Sequence, residues 1–205
     1  MQTKTAVLVT ALALLVSGCG SSSSTTSSTT SSSTAASSQS APNPNAREKS
    51  PPGDIPDSTQ FVRYKLPAGG FSVRIPEGWS RTGAGRRVTF TSNLNSVTIE
   101  GRPAAGALSV AAVKSSDVPA LAKALKGFKL QSAGTISRSG EQAVRIRYLA
   151  RSRANAVTGR AVTDEVERYI FSHGGKQAVV TLAGPNGADN VDAWRTISNS
   201  VRWGR

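Results

Sequence analysis

An uncharged polar tract divides this chain of 205 residues into two parts that differ in their capacity to fold. Residues 21–40 are Ser or Thr at 17 of 20 positions, and no charged residue occurs from Gly20 to Ala46. A segment with so little apolar surface has nothing to bury and should stay disordered. Five prolines between residues 42 and 56 favour extended conformations in the stretch that follows. We therefore predict that residues 19–59 form a linker and that residues 60–205 form one globular domain.

The first eighteen residues have the anatomy of an export signal. Lys4 is their one charged residue, and it precedes an apolar stretch, Ala6–Val16, that is shorter than the ~20 residues of a spanning helix. Val16-Ser17-Gly18-Cys19 resembles a bacterial lipobox, which implies cleavage before Cys19 and acylation of its thiol with diacylglyceryl and palmitate-type chains. Two or three acyl chains would anchor the protein stably, so we predict a signal peptide at 1–18 and an extracytoplasmic domain held at the cell membrane. The alternative is a secreted protein with a chance cysteine.

Alternation of apolar and polar residues predicts an antiparallel sheet of about five to seven strands in the domain. Two hairpin turns are indicated, one at residues 92–95 and one at His173-Gly174-Gly175-Lys176, whose glycines supply the positive φ of a tight turn. The alternating stretches are residues 71–75, 88–90, 97–99, 144–148, 166–171 and 178–182.

Two segments have helical periodicity. The first is capped by Ser116 or Asp117 and ends at Gly127, and the second begins near Asp189 or Asn190. The predicted fold class is therefore α+β, a central antiparallel sheet packed with two or more helices. The apolar faces consist of Val118, Leu121, Ala122 and Leu125 in the first helix and of Val191, Trp194, Ile197 and Val201 in the second.

Two motifs carry a family resemblance. Residues 71–79, FSVRIPEGW, resemble the strand and Gly-Trp opening of the PsbP/Mog1-like superfamily, and residues 193–201, AWRTISNSV, resemble its closing helix. Residues 183–192 are also similar to actinobacterial lipoproteins with this type of domain. The resemblance implies an α/β/α-like sandwich, found in adaptor or accessory proteins that lack a catalytic site. It transfers no functional residue to this chain.

Residues able to do chemistry are few, and we predict no catalytic residue, metal site or cofactor. One Cys and one His exclude an internal disulfide and a Cys/His zinc site. His173 falls in a predicted turn and is interpreted as a solvated histidine. Glu165 and Glu167, with Asp164, could form an acid/base pair, but cross-strand pairing with Arg145 and Arg147 is the favoured interpretation.

Two further patterns favour structural roles. Gly83-Ala84-Gly85 resembles a phosphate loop but leads into a strand and lacks the Lys-Ser/Thr of such loops. Trp79, Trp194 and Trp203 could stack on a sugar or a lipid, but their positions favour core anchoring.

The positive charge requires an explanation, because the net charge is +13 and the linker is neutral as far as Ala46. Residues 138–160 contain six arginines and one glutamate, a local +5. Arg151, Arg153 and Arg160 fall in a predicted exposed loop, where they could bind anionic lipid or an anionic cell-wall polymer. A solvated basic surface is the alternative. Export disfavours nucleic acid as the partner.

Three functions remain open at this point. The first is a lipid-anchored envelope lipoprotein with a non-catalytic binding or accessory domain, acting on a lipid, a polymer or an envelope protein. The second is a carrier of a small ligand or lipid in a pocket between sheet and helix. The third, ranked last, is a hydrolase built around His173 or around Glu165 and Glu167.

Overall fold

The computed structural model describes residues 52–154 and 159–204. The predicted signal peptide, Cys19 and most of the predicted linker lie outside the described residues. Within them, no helix is both long and apolar enough to cross a membrane. In chain order the elements are β1 (Phe61–Leu66), β2 (Phe71–Pro76), β3 (Ser80–Ala84), β4 (Arg87–Ser92), β5 (Asn95–Pro103), α1 (Val110–Ser115), α2 (Asp117–Ala124), β6 (Lys129–Arg138), β7 (Glu141–Arg151), β8 (Thr163–His173), β9 (Lys176–Pro185), α3 (Val191–Ser198) and β10 (Arg202–Trp203).

The strands form two antiparallel sheets. The large sheet has seven strands in the order β3-β4-β5-β9-β8-β7-β6, and the small sheet has the order β1-β2-β10. The predicted α+β class with a central antiparallel sheet is confirmed. The predicted strand at 71–75 exists as β2, but it lies in the small sheet, because alternation marks a half-buried strand without specifying its partner.

The main hydrophobic core lies between the small sheet, α3 and one face of the large sheet. Phe71, Val73 and Ile75 of β2 pack with inward residues of β4, β5, β8 and β9. Trp194 and Ile197 bring α3 onto the same core, with 8% and 0% of their surfaces exposed. Helix α3 thus closes the core on the side of the small sheet.

The opposite face of the large sheet carries α1 and α2. Val113 of α1 is buried there, and Val118, Leu121 and Leu125 pack against apolar residues of β7, β8 and β9. This arrangement confirms that the first predicted helix lies on the sheet. We call this side of the sheet the helix face.

Three details differ from the sequence predictions or extend them. Val191, predicted on the inner face of α3, is 59% exposed because it is the first residue of the helix. Helix α1 was not predicted, since six residues are too few to show a helical period. Ile55 is 6% exposed and belongs to the core, although the predicted linker extends to residue 59.

Hydrogen bonds hold the segment before β1 onto the domain. The carbonyl of Gly53 accepts from the side-chain amides of Asn95 and Asn190, at 2.8 and 3.1 Å. The backbone N–H of Ile55 donates to Asn190 Oδ1 at 2.8 Å. The predicted domain boundary at residue 60 remains a prediction, with residues 53–55 packed on the domain from the linker side.

Candidate ligand-binding groove

A groove of about 540 Å³ runs along the helix face of the large sheet. Its volume lies in the range of pockets that hold small molecules, about 300–1,000 Å³. Its floor is formed by β4, β5, β9 and β8, and one wall is formed by Leu121 and Leu125 at the end of α2. The opposite wall comes from the hairpin turn at Asn93 and Leu94.

Threonine hydroxyls line the middle of this floor. Strand register places Thr89 opposite Thr98 and Thr98 opposite Thr181, and these three residues are called the threonine row. Thr89 Oγ1 and Thr98 Oγ1 are hydrogen-bonded to each other at 2.9 Å. Because successive residues of a strand point to opposite faces, the apolar residues before and after each threonine, such as Val97 and Ile99 beside Thr98, point into the main core.

The three arginines predicted from the loop, Arg151, Arg153 and Arg160, all line this groove and are called the rim arginines. Arg151 ends β7, and its backbone N–H donates to the Lys126 carbonyl at 2.8 Å. The N–H of Ser152 donates to the Val162 carbonyl at 2.9 Å, and the N–H of Val162 donates to Ser152 Oγ at 2.9 Å. These bonds hold the two sides of the loop together, so arginines from both sides meet at one rim.

A fourth arginine, which was not predicted from the sequence, lies on the groove floor. Arg168 is 8% exposed, and its Nη1 donates to Thr181 Oγ1 at 2.9 Å. Register places it at the end of the threonine row, opposite Thr181. The sequence does contain a sign of this arginine, because Arg168 stands between Val166 and Ile170 among the alternate residues that form one face of β8.

Charge compensation around Arg168 is incomplete. Its Nη2 lies 3.8 Å from Asp117 Oδ1, and Asp117 already accepts two hydrogen bonds from Arg102 at 2.9 and 3.0 Å. The Nε of Arg168 is buried and has no hydrogen-bond partner among the described residues. Burial lowers the pKa of Arg168, which nevertheless stays charged at neutral pH. Glu100 and Asp117 both act on the charge of Arg168, and each of them already pairs with another arginine, Arg87 or Arg102.

Asp164 is the one carboxylate among the described residues that line the groove. Partial burial raises its pKa to about 6 from an ordinary value of 3.8. Its Oδ1 is buried without a hydrogen-bond donor in the described part of the chain. The groove therefore becomes more positive as the pH falls through about 6.

Arg145 and Arg147 of the basic segment lie on the other side of the sheet and are neutralised there, and Arg138 lies over the Tyr169 ring on the same side. Arg145 pairs with Glu167 at 3.2 Å, and Arg147 pairs with both Glu165 and Glu167. Tyr169 Oη also hydrogen-bonds to Glu167. The predicted cross-strand pairing is confirmed. These groups line a smaller cleft of about 220 Å³ beside α3.

The other candidate residues have structural positions. His173 is exposed in the β8–β9 hairpin and stacks on Trp203, with ring centroids 5.5 Å apart. The three tryptophans pack in or against the main core, as predicted. Gly85 has a φ of 65° in the turn that joins β3 to β4, so the predicted passage into a strand is confirmed.

Comparison with known proteins supports the fold. No family model matches the sequence, and no curated protein matches it. The structure is similar to that of cyanobacterial PsbP from Synechocystis, with a TM-score of 0.51 and 14% identity over 71% of this chain and 93% of that one. At this identity the likeness shows a PsbP/Mog1-like fold and nothing about activity.

Two further solved structures are similar at lower scores. The Ran-binding protein Mog1p of Saccharomyces cerevisiae has a TM-score of 0.48 and 10% identity, over 71% of this chain and 96% of that one. LpqN of Mycobacterium tuberculosis, described as involved in cell envelope biogenesis, has a TM-score of 0.43 and 14% identity, over 73% and 93%. The chain spans 48% of a longer structure from Bacteroides thetaiotaomicron, at 12% identity over 70% of this chain and a TM-score of 0.48.

Proposed function

We propose that this chain is a lipid-anchored protein of the bacterial cell envelope whose domain binds an anionic ligand in the groove and performs no catalysis. The observation that carries the proposal is the meeting of the rim arginines in one groove with Arg168, whose buried Nε has no hydrogen-bond partner among the described residues. Guanidinium groups bind phosphate and carboxylate through charge-assisted hydrogen bonds, so a groove with this lining suits a phosphate-bearing ligand.

The anchor is proposed from the sequence around Cys19. A domain tethered there would stay within reach of anionic lipid headgroups and of anionic wall polymers. Metabolic labelling with a fatty-acid analogue tests the anchor. The wild-type chain should take up the label and the Cys19→Ser variant should not, and label retained in Cys19→Ser would overturn this part of the proposal.

A binding role is favoured over catalysis by what surrounds the candidate acid and base groups. Glu165 and Glu167 are held in ion pairs by Arg147 and Arg145, so both carboxylates already have partners within the protein. His173 is stacked on an indole ring in an exposed turn. No described arrangement therefore pairs a nucleophile with a base.

Vesicle binding tests the groove directly, with the chain produced from residue 20 onward so that no acyl group contributes. Binding to vesicles with phosphatidylglycerol should exceed binding to neutral vesicles, and it should weaken as salt shortens the screening length from about 10 Å at 0.1 M to about 3 Å at 1 M. Each arginine at an anionic surface contributes about 1 kcal/mol, so replacing all three rim arginines with Glu should lower affinity at least a hundredfold.

A matched control separates the groove from net charge. Replacing Lys65, Arg74 and Arg202 with Glu changes the charge by the same amount on the small sheet, where all three are exposed. This variant should retain most of the affinity. Equal losses in the two triple variants, or binding that ignores salt, would contradict a groove-specific site. Strong binding to purified anionic wall polymer with none to vesicles would identify the polymer as the source of the phosphate.

A ligand carrier is the second candidate function, favoured by the volume of the groove and its position between the sheet and α2. A carrier should remove a fluorescent anionic lipid from donor vesicles and deliver it to acceptor vesicles. A binding module should hold to the vesicle surface without transfer.

A further inference from the structure

The chemistry of the groove floor narrows the ligand, on the premise that the groove binds anions as proposed above. The groove has apolar surface on the α2 wall at Leu121 and Leu125, which could receive an acyl chain, but its floor across β4, β5 and β9 is a row of hydroxyls. A hydroxyl both donates and accepts a hydrogen bond, which is the property that recognition of sugar and polyol hydroxyls requires.

The hydrogen bonds already made in the row leave donors for a ligand. In the Thr89–Thr98 pair one hydroxyl donates to the other, so the accepting residue keeps its own proton. Thr181 accepts from Arg168, so its proton is also uncommitted among the described contacts. At least two O–H donors of the threonine row are therefore available to ligand oxygens.

The spacing of the charges matches a ligand with an anionic group at one end. Asp164 of the rim and Arg168 are four residues apart on β8, which is roughly 13 Å at the rise of a strand. The threonine row begins beside Arg168 and crosses the sheet from there, and the rim arginines lie toward the Asp164 end. Val166 lies between Asp164 and Arg168 on this face of β8, so the groove has two separate cationic positions, and the threonine row extends from the one at Arg168.

The lining also disfavours a nucleobase. The aromatic residue that lines the groove in the described structure is Tyr148, which is 3% exposed and packs on Phe128 with ring centroids 5.2 Å apart. A buried ring offers no stacking platform, and base recognition depends on stacking.

We propose that the groove binds a phosphate-bearing polyol, with the phosphate on the arginines and the polyol hydroxyls on the threonine row. A headgroup of an anionic glycolipid and a repeating unit of a phosphate-containing wall polymer share this chemistry.

Calorimetric titration of the full lipidated chain in detergent tests the proposal with four probes: inorganic phosphate, glucose, glucose 6-phosphate and octyl phosphate. Glucose 6-phosphate should bind at least tenfold more tightly than inorganic phosphate, because the hydroxyl contacts add to the ionic ones. Octyl phosphate should bind no more tightly than inorganic phosphate, and glucose alone should bind most weakly.

Valine substitutions separate the row from the rim. Thr98→Val with Thr181→Val keeps the β-branched shape, so the strands should still form while the tenfold preference for glucose 6-phosphate is lost. Thr135→Val, on the exposed part of β6, is the matched control and should change nothing. Arg151, Arg153 and Arg160→Gln should weaken all three phosphates together.

The outcomes distinguish this inference from the function on which it rests. Phosphates that bind equally well, with no effect of the valine variant, would overturn the polyol while leaving the anion groove intact. Octyl phosphate binding more tightly than glucose 6-phosphate would overturn it in favour of a lipid carrier. Absence of binding by every phosphate probe would overturn the anion groove and the polyol together.

Discussion

Replacing Asp117 with Asn should destabilise the domain far more than a chemically identical change elsewhere. The Asp117 side chain is 9% exposed, receives two hydrogen bonds from Arg102 and lies 3.8 Å from Arg168. Removing one partner of a buried ion pair costs about 3–5 kcal/mol, because the remaining charge is left without compensation. The Arg102 side chain is 29% exposed and can regain some water, so we expect a loss of about 3 kcal/mol.

Asp192→Asn is the matched control. Asp192 also lies in the first turn of a helix and also pairs with an arginine, Arg195, at 3.2 Å. Its side chain is 78% exposed and that of Arg195 is 60% exposed, and such pairs contribute about 0–1 kcal/mol. The two variants therefore remove the same charge from the first turn of a helix and differ chiefly in burial.

Urea unfolding at pH 7 measures both changes. If the free energy of unfolding falls by about 1.5–2 kcal/mol per molar urea, Asp117→Asn should lower the unfolding midpoint by about 1.5–2 M and Asp192→Asn by less than about 0.7 M. In 1 M salt the effect of Asp192→Asn should disappear while that of Asp117→Asn persists. Similar small losses in both variants would refute the reasoning, since the network under the groove would then contribute no more than a surface pair.

Three further predictions follow from the same contacts. Asp164→Asn should remove a loss of stability that occurs in wild type as the pH rises from about 4 to above 6, because the raised pKa of Asp164 lets the native state keep a proton there that the unfolded state has already released. Urea unfolding at pH 4.5 and 7.5 should show this loss as about 1 kcal/mol in the free energy of unfolding of wild type, since the group is half-exposed, and parallel pH profiles of the two proteins would contradict the prediction. Gly101→Ala should lower the free energy of unfolding by more than about 2 kcal/mol, because the added Cβ would lie 2.4 Å from Gly69 Cα. Gly134→Ala, whose Cβ would meet open space, is the control and should lower it little, and equal losses in thermal or urea unfolding would contradict the close approach. Limited proteolysis followed by mass spectrometry should leave a resistant fragment that begins before Gly53, and efficient cleavage between residues 56 and 60 would show that Ile55 is not held.

Local patterns in the sequence predict most of the strands and both of the longer helices. The β8–β9 hairpin follows from Gly174 and Gly175, which have φ values of 53° and 74° and so supply the left-handed conformation of the turn. Helix α1 has a detectable local signal as well, because Ser109 Oγ accepts from the N–H of Ala112 at 3.1 Å as an N-cap. An N-cap residue alone, without a helical repeat of apolar residues after it, does not suffice to predict a helix of six residues.

The groove could be predicted only in part, because it depends on strand order. The loop arginines are recognisable from their neighbours, Asn155 and Gly159, in the sequence. The threonine row requires β5 to pair with β9, which joins Thr98 to Thr181 across more than eighty residues. Pairing over that separation is decided by the whole core, and the local alternation around each threonine is compatible with several partners.

The net charge of residues 138–160 overstates the number of arginines that line the groove. Residues 138–160 carry a local +5, yet Arg145 and Arg147 are neutralised by Glu167 and Glu165 on the core side of the sheet. The rim arginines lie on the helix face, where Asp164 is the lining carboxylate among the described residues. Which arginines line the groove therefore depends on strand register for Arg145, Arg147 and Arg168, and on the loop hydrogen bonds for the rim arginines.

An open strip on the helix face is a consequence of helix length. Seven strands spaced by about 4.8 Å span roughly 29 Å, while the eight residues of α2 extend about 12 Å and the six of α1 about 9 Å. Two such helices leave part of the face in water, and threonine combines the β-branched shape that strands favour with a hydroxyl that water solvates. The threonine row alone would therefore be consistent with an ordinary solvated sheet.

The length of the helices does not explain why an arginine occupies position 168. Arg168 is 8% exposed, its Nε has no hydrogen-bond partner among the described residues, and the carboxylates that act on it, Glu100 and Asp117, already pair with other arginines. Its lost hydration is therefore not fully replaced, and apolar residues of similar volume often stabilise a protein more than a buried ion pair does. Its neighbours on the same face of β8, Val166 and Ile170, are apolar, so packing alone would have favoured a third apolar residue. Residues that lower stability in this way are expected at functional sites. The proposal of ligand binding therefore rests more on the buried Arg168 than on the exposed rim arginines.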